Sequence, residues 1–184
     1  EGRGKVRYSF ETVSDCDLPP YSTTLMGLDL ETTSPRKGKF FDAHAAEIVG
    51  YSTSQRKDRA IYYASEPVEN PKQVPNVWKD CHWEIVCHNA HFEMMKLGQL
   101  GVRMHNVHDT KLAAYVLGYP STHLKSLSRQ LLRKDPVTYE QATQGADMSE
   151  LEPEQVYEYA CADSDNTLQL WGKLRSELDR EGLW

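Results

Sequence analysis

Short apolar runs separated by polar turns occupy the first half of the chain and predict β-strands. The run at residues 23–30 is nearly continuous, which is typical of a strand buried in the middle of a sheet. Further strands are predicted at residues 47–53, 60–64 and Glu84–Cys87, with a brief one near Val107. The apolar pattern therefore predicts one sheet with buried central strands.

Helical spacing of apolar residues dominates the second half of the chain. Helices are predicted at residues 70–80, 91–100, 110–117 and 124–132. Gly101 ends the second of these, and Asp109 is suited to cap the start of the third. From Pro153 onward, apolar residues at i, i+4 and i+7 predict a helix of about 27 residues. Strands followed by alternating strands and helices predict an α/β fold whose sheet is partly antiparallel and partly parallel.

Length and composition are those of one globular domain. The 184 residues are 39% hydrophobic and 26% charged, and no apolar stretch is long enough to span a bilayer. Residues 1–22 are polar and read as a leader that adds no core, which leaves residues 23–184 as the domain. The four cysteines form no CxxC pair, so we expect reduced thiols and a cytoplasmic, intracellular protein.

The charge balance restricts how the chain would bind nucleic acid. Its net charge is −6 and its pI is about 5.6, whereas an independent nucleic-acid-binding domain usually carries a basic patch. Either nucleic acid is not the ligand, or the phosphates are held by bound metals and by protein outside this chain. The scattered basic residues favour solvated faces over a groove. Lys125 and Arg129, one helical turn apart, are the first pair to test for contact with a nucleic-acid backbone.

Carboxylates recur at positions that the predicted elements would bring together. Asp29 and Glu31 share one face of a predicted strand, Glu93 begins a helix, and Tyr159 and Asp163 share one face of the last helix. Oxygen ligands alone suit Mg²⁺ or Mn²⁺ and not zinc. A pair of such ions about 3.5–4 Å apart promotes phosphoryl displacement. The pattern therefore predicts a metal-dependent reaction at a phosphate group.

Each of these residues also has a purely structural interpretation. Asp29 and Glu31 would suit a strand end that rises into solvent, and Glu93 an exposed acid in a first helical turn. Asn89 would suit the turn before that helix, and Tyr159 the hydrophobic core. The combination in this order, and not any single residue, favours the metal site.

Several motifs in the same order resemble one enzyme family. They are Asp29-Leu30-Glu31-Thr32-Thr33, the stretch from His88 to Glu93, and residues 108–115, 123–128, 138–140 and 159–170. Together they are similar to the DEDDy branch of the DEDD 3′–5′ exonucleases. Within that branch the chain resembles the proofreading domain of family A (Pol I-like) DNA polymerases, including phage-type ones. The resemblance covers roughly residues 23–174.

The resemblance implies a fold and a set of metal ligands. The fold would be a ribonuclease H-like (DnaQ-like) mixed sheet flanked by helices, and the cofactors two Mg²⁺ or Mn²⁺ ions. Asp29 would bridge both ions, Glu31 and Asp163 would hold the first, and Glu93 would serve the second. Tyr159 would orient the attacking water together with Glu31. The family usually has Asp where this chain has Glu93, and the extra methylene puts the second metal position in doubt.

The resemblance also implies a substrate and partners. Thr32, Asn89 and Phe92 match positions that contact the terminal nucleotides of a single-stranded DNA 3′ end. We therefore expect a monomer without membrane contact that releases nucleoside monophosphates and proofreads for the polymerase domain of its parent chain. The alternatives are an RNA exonuclease of the RNase D type and a degenerate, non-catalytic domain that binds DNA or acts as a spacer.

Overall fold

A computed structural model describes residues 6–12, 25–37, 39–64 and 83–184. The predicted helix at residues 70–80 lies outside these ranges. Within them, no helix is long and apolar enough to cross a membrane.

A mixed sheet forms the centre of the described fold. Its strands are β1 (Arg7–Thr12), β2 (Met26–Thr32), β5 (Ile48–Arg56), β6 (Arg59–Ala64), β7 (Glu84–Cys87) and β8 (Asn106–Asp109), in the spatial order β1-β6-β5-β2-β7-β8. The β2–β5 and β5–β6 pairs are antiparallel, and the β1–β6, β2–β7 and β7–β8 pairs are parallel. The prediction of a sheet with both kinds of pairing is confirmed. A separate small hairpin joins β3 (Arg36–Lys37) to β4 (Phe40–Phe41).

The helices predicted within the described ranges are present, and a further short helix at Tyr139–Thr143 was not predicted. The helices are α1 (Ala90–Gln99), α2 (Thr110–Val116), α3 (Leu124–Leu127), α4 (Tyr139–Thr143) and α5 (Pro153–Arg180), and α3 continues as a π-helical turn at Ser128–Leu132. The last helix has 28 residues. Asp109 caps α2 as predicted, since its side chain accepts hydrogen bonds from the backbone amides of Lys111 and Leu112.

The expectation that the N-terminal stretch adds no core is wrong for residues 7–12. These residues form β1, and Tyr8 and Phe10 pack against a cluster that includes Val156 and Ala160 of α5. The Tyr8 hydroxyl also donates a hydrogen bond of 2.9 Å to the buried Asp165. An edge strand buries few side chains, so its apolar signal is weak in a polar segment. The domain boundary at residue 23 stays a prediction.

One glycine sets the distance between α5 and the central strand. A Cβ atom at Gly27 would lie 2.3 Å from the backbone oxygen of Ser164, so only glycine permits this approach. Met26, Leu28 and Leu30 of β2 pack into the core cluster that includes α1. Because strand side chains alternate, Gly27, Asp29 and Glu31 face α5 on the opposite side. This packing places the strand acids beside the long helix.

Candidate active site

The two acids of β2 lie side by side beneath α5. Glu31 is only 6% exposed, whereas Asp29 is partly exposed. The charge of Asp29 raises the pKa of Glu31, so the two carboxyl groups lie close enough to repel each other. The alternative in which the pair sits at a strand end rising into solvent is therefore wrong, because Glu31 is buried between the sheet and the helix.

Helix α5 brings Tyr159 and Asp163 to the same place. Asp163 is buried, and after burial its charge is the strongest cause of the raised pKa of the Tyr159 hydroxyl. The charge of Asp163 acts on both Asp29 and Glu31. The i, i+4 spacing on the helix and the i, i+2 spacing on the strand thus meet at one cluster.

Glu93 reaches the cluster from α1. It is 3% exposed, and of the charges that raise its pKa that of Asp29 has the largest effect. The alternative of an exposed first-turn acid is therefore wrong. We call Asp29, Glu31, Glu93 and Asp163 the acidic cluster.

Burial and mutual repulsion make these carboxyl groups hold their protons. Burial, followed by the charge of Asp163, raises the pKa of Asp29 to about 8. Burial and the charge of Asp29 raise the pKa of Glu31 well above its ordinary value, and the same causes act on Glu93. At neutral pH, the acidic cluster therefore needs either protons or an added positive charge.

A lysine supplies one such charge. The Lys125 ammonium contacts Asp163 Oδ1 and lies 4.5 Å from the centroid of the Tyr159 ring. Its charge opposes the rise in pKa of Asp29, Glu31 and Asp163. Sequence reasoning paired Lys125 with Arg129, but Arg129 turns away to Asp135 at 2.9 Å on the surface. No sequence spacing indicated this contact, because it joins α3 to α5 across 38 residues.

The acidic cluster fits a hard divalent cation in its chemistry. Glu31 Oε1 and Glu93 Oε2 are buried, and neither oxygen has a hydrogen-bond partner. Within the described ranges, no three His, Cys, Asp or Glu side chains form a ready-made metal cage. The Lys125 ammonium contacts one of these acids, Asp163. The buried, unpaired oxygens are acceptors of the kind that Mg²⁺ binds.

The sequence as a whole matches a family profile described as 3′-5′ exonuclease, over residues 15–179. This chain belongs to the 3′–5′ exonuclease family. No curated protein is similar enough to it to count as a match.

Several solved nuclease and polymerase structures have the same fold as this exonuclease. NrnC of Brucella melitensis with bound Mg²⁺ is 20% identical, with a TM-score of 0.73 over 97% of this chain and 84% of that one. The catalytic core of RRP6 from Trypanosoma brucei is 18% identical, with a TM-score of 0.69 over 96% and 48%. The POL domain of Pol1 from M. smegmatis, in complex with DNA primer-template and dNTP, is 18% identical, with a TM-score of 0.59 over 84% and 24%. The predicted ribonuclease H-like fold is confirmed.

The predicted substrate-contacting residues flank the acidic cluster of this exonuclease. Thr32 follows Glu31 at an irregularity in the β2–β5 pairing, and Phe92 precedes Glu93. Asn89 adopts a left-handed backbone with φ of 80°, and its side-chain oxygen accepts a hydrogen bond of 3.1 Å from Lys111. The three residues therefore border the cluster on two elements, β2 and the start of α1.

Asp109 has a second role that sequence reasoning missed. Besides capping α2, its carboxylate accepts hydrogen bonds of 3.0 Å from the backbone amides of Asn89 and Ala90. The Asp109 carboxylate thus accepts hydrogen bonds from the first turns of both α1 and α2. Since α1 carries Glu93, Asp109 helps to set the position of that acid.

Proposed function

We propose that this exonuclease is metal-dependent, acts as a monomer and releases nucleoside monophosphates from single-stranded DNA 3′ ends, as a proofreading domain does. The observation that carries the proposal is the convergence of four acids from three elements, with two buried oxygens that lack partners. Buried carboxylates without partners are costly to the fold. Such an arrangement is understandable where the carboxylates serve a bound cation.

The acidic cluster would hold two Mg²⁺ or Mn²⁺ ions through Asp29, Glu31, Glu93 and Asp163. When bound, such ions stabilise the attacking and the leaving oxygens of a phosphoryl displacement. Asp29 is suited to contact both ions, because its carboxyl group interacts with those of Glu31, Glu93 and Asp163. Glu93 differs from the aspartate usual in the family, yet its charge reaches Asp29, which supports activity over a degenerate spacer.

Tyr159 would orient water and not remove its proton. Burial and the charges of Asp163, Glu31 and Asp29 raise the pKa of Tyr159 above its ordinary value. The hydroxyl therefore keeps its proton at any working pH, donates a hydrogen bond to a carboxylate, and accepts one from water.

Tyr159→Phe is expected to slow degradation about 10- to 100-fold without abolishing it, since one positioning contact is lost while the carboxylates remain. Single-turnover rates on a 5′-labelled single strand measure the effect. Tyr157→Phe is the matched control, because the hydroxyl of this tyrosine donates a hydrogen bond of 3.2 Å to its neighbour Glu158. An unchanged rate in Tyr159→Phe would remove the hydroxyl from the mechanism.

The family profile and the charge of the chain support a polymerase context. A chain of net charge −6 has little attraction for duplex DNA. A polymerase domain of the parent chain would hold the duplex and deliver only the frayed 3′ end. The metals and stacking contacts would then suffice to bind that end.

An RNA exonuclease of the RNase D type is the rival proposal. It is favoured by the structural likeness to NrnC and to the RRP6 catalytic core, which extends over nearly the whole of this chain.

Matched 5′-labelled DNA and RNA strands of one sequence, with Mg²⁺, separate the two proposals. We expect the DNA strand to be shortened from its 3′ end at least about tenfold faster, a preference of about 1.4 kcal/mol. Faster loss of the RNA strand would favour the RNase D type. No loss of either strand, together with no Mn²⁺ bound in a calorimetric titration, would favour the spacer.

A further inference from the structure

A small hairpin beside the acidic cluster exposes two aromatic rings. Strands β3 and β4 pair Arg36 with Phe41 and Lys37 with Phe40. Phe40 is 79% exposed and Phe41 is 50% exposed. Phenylalanine side chains rarely remain so exposed in adjacent positions without a binding role.

The hairpin is held firmly at its base. The Asp42 amide donates a hydrogen bond of 2.9 Å to the Pro35 carbonyl, which closes the loop. Lys96, buried on α1, donates hydrogen bonds to the carbonyls of Ala43 and Ala46 just beyond it. The segment that follows the hairpin is therefore tied to the helix that carries Phe92 and Glu93.

One ring of the hairpin contacts the helix that carries Glu93. The Phe41 and Phe92 ring centroids are 6.2 Å apart at an interplanar angle of 42°. Phe92 lies directly before Glu93 in the sequence. The Phe41 ring thus lies beside the residue that precedes Glu93 on α1.

The charge of the hairpin matches a phosphate backbone. Residues 33–41 contain Arg36, Lys37 and Lys39 and no acid, although the whole chain carries a net charge of −6. Basic residues next to exposed aromatic rings are the combination with which proteins hold single strands. An apolar protein partner would not account for the basic residues.

We propose that Phe41, beside Phe92, forms a stacking platform for a base of the single strand upstream of its 3′-terminal nucleotide, whereas Phe40 faces the other side of β4. The platform rests on the proposed exonuclease function and refines its substrate to strands longer than the terminal pair of nucleotides. Because every base presents a flat face, the platform would accept any base. Arg36 and Lys39 would lie along the adjoining phosphates.

Steady-state kinetics of Phe41→Ala on a 12-nucleotide single strand test the platform. We expect KM to rise about tenfold with kcat changed less than twofold, since stacking helps to bind the strand and does not act at the scissile bond. The difference between variant and wild type should disappear on strands of two nucleotides. Tyr115→Ala is the matched control, because it removes a ring that is 73% exposed on α2.

A measurement on the unaltered protein complements the variant. Strands carrying 2-aminopurine at successive positions are titrated in EDTA, and quenching of the fluorescence is expected upstream of the 3′ terminus. If the wild type degrades the 12-mer while the variant keeps its KM and no upstream position is quenched, the platform is overturned. If the wild type degrades no strand yet quenching occurs upstream, the exonuclease proposal fails while the stacking surface stands.

Discussion

Asp29→Asn is expected to lower the rate of 3′-end degradation by roughly 10²–10³-fold or more, the loss typical when a central electrostatic contact is removed. Asp29 interacts with Glu31, Glu93 and Asp163, so its loss affects every other acid of the cluster. Asparagine keeps the size of the side chain but removes its charge. Single-turnover degradation of a labelled strand in Mg²⁺ measures the effect, and Asp163→Ala should behave likewise.

The melting temperature of this variant shows whether it is inactive merely because it does not fold. Because burial and the charge of Asp163 oppose ionisation of Asp29, the neutral amide should leave the metal-free melting temperature at pH 8 unchanged or higher. Asp135→Asn is the control, since this aspartate is exposed and paired with Arg129. Full activity of Asp29→Asn would place the reaction elsewhere in the molecule.

The metal-free protein is expected to lose stability as the pH rises from about 4 to about 8. Asp29 has a folded pKa of about 8 against an ordinary value of 3.8, so the folded state binds the proton more tightly than the unfolded chain. The resulting stability is complete below about pH 4 and is lost as the pH rises through 8. Glu31 and Glu93, whose pKa values are also raised, act in the same direction.

Urea unfolding at successive pH values in EDTA measures this loss, which we expect to be on the order of 2 kcal/mol. Added Mg²⁺ should restore most of it at pH 8, because cations then replace the protons of the cluster. Lys125→Met should make the loss larger, since the ammonium contacts Asp163 and favours its charged form. Arg129→Met, altered at a surface ion pair, is the control. A flat profile in EDTA would contradict the proposed crowding of acids.

Local signals in the chain were sufficient to predict most of the described elements. The apolar run before Asp29 predicted the central strand, although the strand begins at Met26 and extends to Thr32. The stripe after Pro153 predicted the long helix to within about a residue of its observed length. Both segments bury one face along many residues, so their spacing carries a strong signal.

The spacing of apolar residues could not predict contacts between distant segments of the chain. Residues 7–12 gave no strand signal because an edge strand needs only a neighbour with free backbone groups, here β6. The Lys125 contact with Asp163 depends on how α3 packs against α5. The aromatic hairpin of Phe40 and Phe41 is meaningful only through its position next to Phe92.

The amino-acid sequence by itself determined which residues share a face: Asp29 with Glu31 on a strand, and Tyr159 with Asp163 on a helix. Such pairs follow from the repeat of each element, which is a property of the local backbone. Tertiary structure alone decided that these pairs meet, that Glu93 is buried beside Asp29, and that a lysine stands among the acids. The close approach of α5 to β2 is possible because Gly27 has no side chain. This approach buries the acids between the helix and the sheet, and their burial shifts their pKa values.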